Sequence, residues 1–257
     1  MKTDEKTVLK TEERIGKYEF VTASYLLDFR GRVPIPTIGN YLMHAATEHA
    51  SKRGFGYSDM AERHTAWVLS RLAIEINRYP AMSEPVTLYT WIDEAGRLFT
   101  NRCFELTDST GASIVYARSL WAAIDLQTRR PISLDVEALS AYIVDRPCPI
   151  EKPGKIAAVE TEVEGLPYQV KYSDLDVNGH FNSVKYIERF LDMFDLKLFR
   201  EKEVKRFEIS YLAEGWYGMP LTMHQKETAP DRYTMAMCHE GKAICRSVAV
   251  FCQRPNH

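Results

Sequence analysis

The sequence has few cysteines, and no two of them form a short motif. Its five cysteines are dispersed along 257 residues, with no CxxC pair. They are Cys103, Cys148, Cys238, Cys245 and Cys252. Thiol-redox sites and cysteine-rich metal sites are usually marked by closely spaced cysteines, and an odd, scattered set is typical of reduced thiols. We therefore expect free cysteines and a cytoplasmic protein.

Long apolar runs are also absent. No run reaches the roughly 18 to 20 residues that cross a bilayer. The first twenty residues, MKTDEKTVLKTEERIGKYEF, are rich in both charges and lack the apolar stretch of a signal peptide. We expect neither a membrane partner nor a targeting signal.

Charge of one sign does not predominate, and the common cofactor motifs are missing. Lys and Arg total 33 against 35 Asp and Glu, a formal net charge of -2, whereas a nucleic-acid-binding domain is usually strongly basic. There is no glycine-rich phosphate loop and no GxSxG elbow, and the histidines lack metal-ligand spacing. The sequence predicts no nucleic-acid partner, no cofactor and no metal.

What is present is a layout of strands and turns that occurs twice. The segments AIEINRYPAMSEPVTLYTWI, near residue 74, and RFEISYLAEGWYGMPLTMHQK, near residue 207, each hold two alternating runs joined by a turn. We match residues 75–76 with 208–209, and the Arg-Ser pair 118–119 with 246–247. Period-two alternation predicts half-buried strands, and short turns between strands predict antiparallel pairing.

Each half also has one amphipathic helical pattern ahead of about four such strands. The predicted apolar faces are Ile38, Tyr41, Leu42, Ala45 and His49 in the first half, and Val184, Ile187, Phe190, Leu191 and Phe194 in the second. A single helix buries its apolar stripe against an antiparallel sheet only if the sheet wraps around it. We therefore predict an α+β protein of two tandem hotdog domains, each an antiparallel sheet around one long helix.

The stretch RPCPIEKPGKIAAVETE, residues 146–162, contains three prolines and predicts a linker. It divides the chain into an N-terminal domain of residues 1–150 and a C-terminal domain of residues 151–257.

The two halves differ where each helix begins. The second-half segment YSDLDVNGHFNSVKYIERF, residues 172–190, places Asp176, Asn178 and His180 just before the helical pattern. The first-half segment LDFRGRVPIPTIGNYL has no histidine. We interpret this as a duplication in which one copy kept a polar site. The N-terminal domain, with no such site, is where we expect the pocket for an apolar ligand.

These residue types suit the hydrolysis of an acyl compound. A helix N-terminus offers unpaired amides and partial positive charge to a developing oxyanion. Asn178 can donate from its amide, and His180 can donate or accept. Asp176 can orient either side chain by accepting a hydrogen bond. A carboxylate to activate water is supplied by Glu214, which we expect in an otherwise apolar strand, at the position that we match with Ala81 of the first half.

Two neighbouring polar residues have simpler explanations. Asn182 precedes the helical pattern directly and predicts an N-cap. Asp174 predicts a turn-forming aspartate. We leave both out of the candidate catalytic set.

The segment YSDLDVNGHFNSVKYIE, residues 172–188, resembles a motif of the acyl-acyl-carrier-protein (acyl-ACP) thioesterases of plants and bacteria, W-S-D-L-D-V-N-x-H-V-N-N-V-K-Y-I. TAWVLSRLAIEINRYP and TGASIVYARSLWAAIDLQTRRP resemble two further segments of that family. The resemblance spans roughly residues 20–252. It implies a double-hotdog enzyme that hydrolyses fatty acyl-ACP, with an acyl carrier protein as partner and catalytic residues at Asp176, Asn178 and His180.

The family also has an acid beside a cysteine, and the resemblance places the acid at Glu214. Ala213 and Gly215 flank Glu214 here, so a cysteine nucleophile at that place is excluded and direct attack by water remains. Whether Glu214 or His180 is the base stays open. We also expect that Arg129, Arg130, Lys185 and Arg189 form a basic surface for the acidic carrier.

Other functions stay open at this point. A hotdog acyl-CoA thioesterase needs the same site, and a dehydratase needs an Asp and a His at a different spacing. A non-catalytic acyl-binding module needs no polar helix mouth. A homodimer is possible, and the acyl chain length is not encoded in any pattern we recognise.

Overall fold

The computed structural model describes residues 11–159 and 165–254. Its strands are β1 (Gly16–Val21), β2 (Thr65–Ile76), β3 (Pro85–Ala95), β4 (Thr100–Thr107), β5 (Ser113–Asp125), β6 (Leu166–Gln169), β7 (Lys202–Tyr211), β8 (Pro220–Ala229), β9 (Arg232–His239) and β10 (Lys242–Gln253). Its α-helices are α1 (Thr11–Arg14), α2 (Ile35–Ser51), α3 (Tyr57–Glu62), α4 (Val136–Ser140), α5 (Ser183–Leu191) and α6 (Leu196–Glu201), and single 3₁₀ turns lie at Ser24–Leu26 and Tyr172–Asp174. Within these ranges no helix is long and apolar enough to span a membrane.

The strands form one large antiparallel sheet, in the order β1-β3-β4-β5-β2-β7-β10-β9-β8-β6. The order is the same from either edge, because β6 to β10 repeat the arrangement of β1 to β5. The two halves join at β2 and β7, where Leu72 pairs with Ile209. The predicted α+β class and the four strands after each main helix are therefore confirmed.

The repeat corrects one of our sequence matches. Ser119 pairs with Leu72, and Ser247 pairs with Ile209. The Arg-Ser pairs thus occupy equivalent places, and both serines are fully buried. Leu72 is then equivalent to Ile209, so our match of residues 75–76 with 208–209 is wrong, because it aligns β2 with β7 in a shifted register. Strands with period-two alternation look alike after any even shift, so the pattern alone did not distinguish the two registers.

The two main helices pack on one face of the sheet and touch each other. Gly39 of α2 lies against Val184 and Ile187 of α5, where an added Cβ would stand 3.4 Å from Val184. Every residue of the predicted α2 face is buried, as are Val184, Ile187 and Phe190 of the α5 face. The second helix is shorter than predicted, since α5 ends at Leu191 and leaves Phe194 in the connection to α6.

Part of the predicted linker packs on the opposite face of the sheet. Residues 146–159 have no regular structure, but Cys148 and Ile150 are buried against Trp91. Residues 160–162 of the predicted linker lie outside the described residues. All five cysteines are free, as predicted, and Cys252 alone among them is half-buried.

Candidate active site

The candidate site is built on a tight loop that Asp176 closes. Its backbone N–H donates to the carbonyl of His180 at 2.8 Å, and its Oδ1 accepts the N–H groups of Asn178 at 2.8 Å and His180 at 3.1 Å. Gly179 takes the left-handed conformation that the turn requires, with a φ of 76°. Asp176 therefore orients Asn178 and His180 through their backbone N–H groups. The sequence analysis had expected it to orient their side chains instead.

Neighbouring backbone and cap contacts fix the loop against the start of α5. Phe181 N–H donates to the carbonyl of Gly215 at 2.8 Å, and His180 forms a β-bridge with Trp216. Asn182 Oδ1 accepts the N–H of Val184 at 2.8 Å, so the predicted N-cap is confirmed. This cap occupies one of the helix amides that we expected to face a substrate.

Asp174 forms the predicted turn but is more than a surface turn residue. Its side chain is 1 % exposed. The hydroxyl of Tyr168 and the backbone N–H of Lys171 both donate to its carboxylate, and Arg189 lies 3.8 Å away. A buried carboxylate needs such partners, and these hold the chain that enters the loop.

Glu214 and His180 face each other, as the sequence analysis required. His180 Nε2 lies 3.7 Å from Glu214 Oε2, and the two side chains are 39 % and 44 % exposed. This separation is too long for a direct hydrogen bond, and a water to one side can contact both atoms at about 2.8 Å. Glu214 lies in the connection after β7 rather than in a strand, which corrects our expectation. β7 ends at Tyr211, and the chain turns there toward the loop of Asp176.

Two residues of the first half reach this site, and sequence reasoning did not find these contacts. Tyr57, at the start of α3, donates its hydroxyl to Asn178 Oδ1 at 3.2 Å. Arg129, in the turn after β5, forms an ion pair with Glu214 Oε1. The first contact joins residues 121 positions apart in the chain, so no local pattern reveals it.

The first half contains a loop of the same geometry. Asp28 N–H donates to the carbonyl of Arg32 at 2.8 Å, and Asp28 Oδ1 accepts the N–H groups of Arg30 at 2.9 Å and Arg32 at 3.0 Å. LDFRGR thus folds like LDVNGH, with Arg30 in place of Asn178 and Arg32 in place of His180. The signal was present in the shared Leu-Asp and Gly positions, but our sequence analysis noted only that the first segment has no histidine.

The equivalent of Glu214 in the first half is Tyr79. Val33 N–H donates to the carbonyl of Pro80 at 2.9 Å, as Phe181 donates to Gly215 in the second half. Residue 79 therefore stands where Glu214 stands, and our match of Glu214 with Ala81 is wrong by two residues. The Arg32 guanidinium lies 4.3 Å from the centre of the Tyr79 ring and pairs with Glu203 at 2.7 Å. The first loop thus connects the two halves through Arg32, and the first half has no counterpart of the Glu214 carboxylate.

The predicted basic surface is largely neutralised by the protein's own acids. Lys185 pairs with Glu188 at 2.8 Å, and Arg189 pairs with Asp192 at 2.9 Å. Arg129 pairs with Glu214, as described above, and Arg130 is exposed beside it. These four residues do not form one free basic patch.

No cysteine lies at this site. Burial raises the pKa of the Cys245 thiol well above its usual value, which suits a packed side chain and not a nucleophile.

Within residues 11–159 and 165–254, no group of three or more His, Cys, Asp or Glu side chains is arranged to hold a metal ion. An open pocket of about 670 Å³ borders the loop at Tyr172, Asp176 and Val177, but neither His180 nor Glu214 lines it.

The arrangement brings Glu214 to His180 and holds the amide donor Asn178 two residues away on the same loop. Glu214 and His180 can take a proton from water, and Asn178 can donate to a carbonyl oxygen on which negative charge develops. Together these groups define a site able to hydrolyse an acyl bond.

The chain belongs to the acyl-ACP thioesterase family. The family's N-terminal domain model matches residues 14–142, and its C-terminal domain model matches residues 157–248. The chain is 30% identical over 216 residues to oleoyl-acyl carrier protein thioesterase 2, chloroplastic, of Arabidopsis thaliana, covering 77% of this chain and 59% of that protein. It spans between about half and three fifths of the length of the first curated relatives it matches.

Solved structures of the same family have the same fold. An acyl-ACP thioesterase from Bacteroides thetaiotaomicron is 40% identical, with a TM-score of 0.90 over 95% of this chain and 100% of that one. The 12:0-ACP thioesterase from Umbellularia californica is 21% identical, with a TM-score of 0.85 over 94% of this chain and 97% of that one.

Proposed function

We propose that this protein hydrolyses the thioester of fatty acyl-ACP, releasing a free fatty acid and the carrier thiol, and so ends fatty acid synthesis. The observation that carries the proposal is that Glu214 faces His180, with Asn178 on the same loop as His180, in a chain of the acyl-ACP thioesterase family. The names of the Arabidopsis and Bacteroides relatives give the carrier-linked substrate.

In the proposed mechanism, Glu214 with His180 deprotonates a water, and the hydroxide attacks the thioester carbonyl carbon. Asn178 donates its amide hydrogens to the oxyanion of the tetrahedral intermediate. The intermediate then collapses, the C–S bond breaks, and the departing thiolate receives the proton that the acid–base pair took from water. Asp176 keeps the loop in the conformation that presents Asn178 and His180.

We propose that residues 1–150 and 151–257 are tandem hotdog domains, with catalysis in the second and the acyl chain held by the first. The mirrored strand order supports the duplication. The greater length of α2, 17 residues against 9 in α5, supports the first half as the place for an extended apolar chain.

Three expectations of the sequence analysis stay proposals. One is a cytoplasmic location, whereas the curated plant relatives are named as chloroplastic. Another is an acyl carrier protein as partner; in place of the basic surface expected from the sequence, we propose that it docks near Val177 and Trp216, which are exposed and flank the site residues. The last is a homodimer, whose formation would use surfaces such as the edge strands β1 and β6.

The test is thiol release from a chain-length series of acyl-ACPs, measured beside the matching acyl-CoAs, for the wild type and His180→Ala. We expect preference for the carrier-linked substrate and a fall in kcat of at least about a hundredfold, or about 2.7 kcal/mol of barrier, in the variant. Equal use of acyl-CoA would instead favour a general acyl-CoA thioesterase. Acyl binding without turnover would favour a non-catalytic module.

A further inference from the structure

The side chain of Glu214 is held from two sides by residues of different halves. Arg129 contacts Oε1, and His180 faces the other oxygen, Oε2, at 3.7 Å. A carboxylate on an exposed connection has freedom to rotate, so a cation fixed on one oxygen determines where the second oxygen points. The second oxygen is the one that lies beside His180.

The turn that carries Arg129 is built to hold this residue in place. Asp125 Oδ1 accepts the N–H groups of Gln127 at 3.0 Å and Thr128 at 2.6 Å, and Arg129 N–H donates to the carbonyl of Asp125 at 2.9 Å. Arg129 has a φ of 58°, in the left-handed region that favours glycine. The turn thus keeps a long cationic side chain at a position where glycine is less strained.

A contribution to folding stability does not explain why position 129 carries an arginine. Arg129 and Glu214 are 42% and 44% exposed, and ion pairs at such exposure contribute little to folding. A strained backbone that carries a weakly stabilising ion pair on a candidate catalytic carboxylate indicates a role in the site.

Tyr57 acts on Asn178 in the corresponding way. An amide presents an oxygen at one end and two N–H donors at the other. The Tyr57 hydroxyl occupies Asn178 Oδ1 at 3.2 Å, which leaves the Nδ2 hydrogens free to face a substrate carbonyl. Tyr57 is held at the first position of α3, where the backbone N–H of Gly56 donates to Asp59 at 2.8 Å.

We propose that Arg129 and Tyr57 are positioning residues of the first half, which orient Glu214 toward His180 and Asn178 toward the thioester carbonyl. The inference rests on the proposed function, and it assigns to the first half a part in catalysis beyond holding the acyl chain.

The test for Arg129 is the Arg129→Gly variant, with Gln127→Ala in the same turn as the matched control. We expect Arg129→Gly to melt at the same temperature as the wild type or above it, because glycine relieves the left-handed strain. Its kcat should fall at least tenfold with KM within threefold, and added guanidinium should restore part of the loss. The same fall should appear on an acyl-pantetheine thioester, which lacks the carrier's acidic surface. An unchanged or higher kcat would overturn the proposal.

The test for Tyr57 removes only the hydroxyl. Tyr57→Phe should lower kcat about fivefold with KM unchanged, while Tyr25→Phe, an exposed tyrosine of the same half, should match the wild type. Equal kcat in the two variants would overturn the role of Tyr57.

A structural measurement separates this inference from the proposed function. Wild-type protein inactive on every acyl thioester would refute the proposed function alone. Crystal structures of the wild type and Arg129→Gly would still decide the positioning role. A Glu214 carboxylate that turns away from His180 in the variant supports it, and an unchanged distance between Oε2 and Nε2 overturns it.

Discussion

Three residue positions separate the two halves chemically. Where the second half has Asn178, His180 and Glu214, the first has Arg30, Arg32 and Tyr79 in the same backbone geometry. Arg30 donates to the carbonyl of Phe199 at 2.8 Å, so the first-half side chains serve packing between the halves. The difference in chemistry therefore lies in side chains alone, because the supporting loops are alike.

A buried histidine of α2 gives a residue-scale prediction about stability. His49 is 0% exposed, with Nδ1 at 2.9 Å from the Arg102 guanidinium and Nε2 at 3.0 Å from the carbonyl of Arg14. Burial, and then the charge of Arg102, lowers the pKa of His49 from 6.5 to about 3. Below pH 6.5 His49 is therefore protonated in the unfolded chain but stays neutral in the folded protein. The free energy of unfolding falls as the pH falls from 6.5 toward 3.

At pH 5 this histidine should cost about 2 kcal/mol of unfolding free energy relative to pH 7. The measurement is urea unfolding at both pH values for the wild type and His49→Gln, whose side chain also offers a donor and an acceptor. The wild type should lose about 2 kcal/mol more than the variant between the two values. Equal losses would show that His49 does not remain neutral in the fold.

At the scale of elements, the loop closed by Asp28 serves as a control for the loop closed by Asp176, because the two have the same backbone hydrogen bonds. Asp28→Ala and Asp176→Ala each remove a carboxylate that accepts two backbone N–H groups. Each should lower the unfolding free energy by about 1 to 2 kcal/mol. Thiol release from acyl-ACP should fall at least tenfold in Asp176→Ala and stay close to wild type in Asp28→Ala. Similar losses of activity in both would mean that the loops matter only for folding.

The sequence predicted elements better than it predicted their relations. The helical faces and the Asn182 cap follow from local spacing, and the DVNGH motif led to three of the four site residues. Glu214 was found by its type, but its setting and its first-half equivalent were wrong, because β7 ends three residues before it and no pattern marks the turn. Arg129 and Tyr57 were missed as site contacts because they lie far from Glu214 and Asn178 in the chain, and no local sequence pattern indicates a contact between the halves.

At the scale of the whole molecule, the sheet and the core run through both halves without interruption. β2 and β7 pair over five residues on each side, and Arg206 pairs with Glu75 across the junction at 3.0 Å. One hydrophobic cluster contains buried side chains from both halves, among them Leu42 and Phe190. The two domains proposed from the sequence therefore do not correspond to two separate packing units.

The continuous core predicts a single cooperative unfolding transition. Calorimetry of the whole chain should give one peak with equal calorimetric and van't Hoff enthalpies. Two resolved peaks would mean that the halves unfold separately, and that the contacts of Arg30, Arg32 and Tyr57 across the halves contribute little.

The central claim is that the carboxylate of Glu214, beside His180, activates the water that cleaves the thioester. The most direct test is kcat for Glu214→Gln against the wild type, on the acyl-ACP that the wild type prefers. The variant keeps the size and a hydrogen-bonding oxygen but loses the base, so kcat should fall at least about a hundredfold with KM within threefold. A variant that retains wild-type turnover would contradict the account and leave His180 as the base.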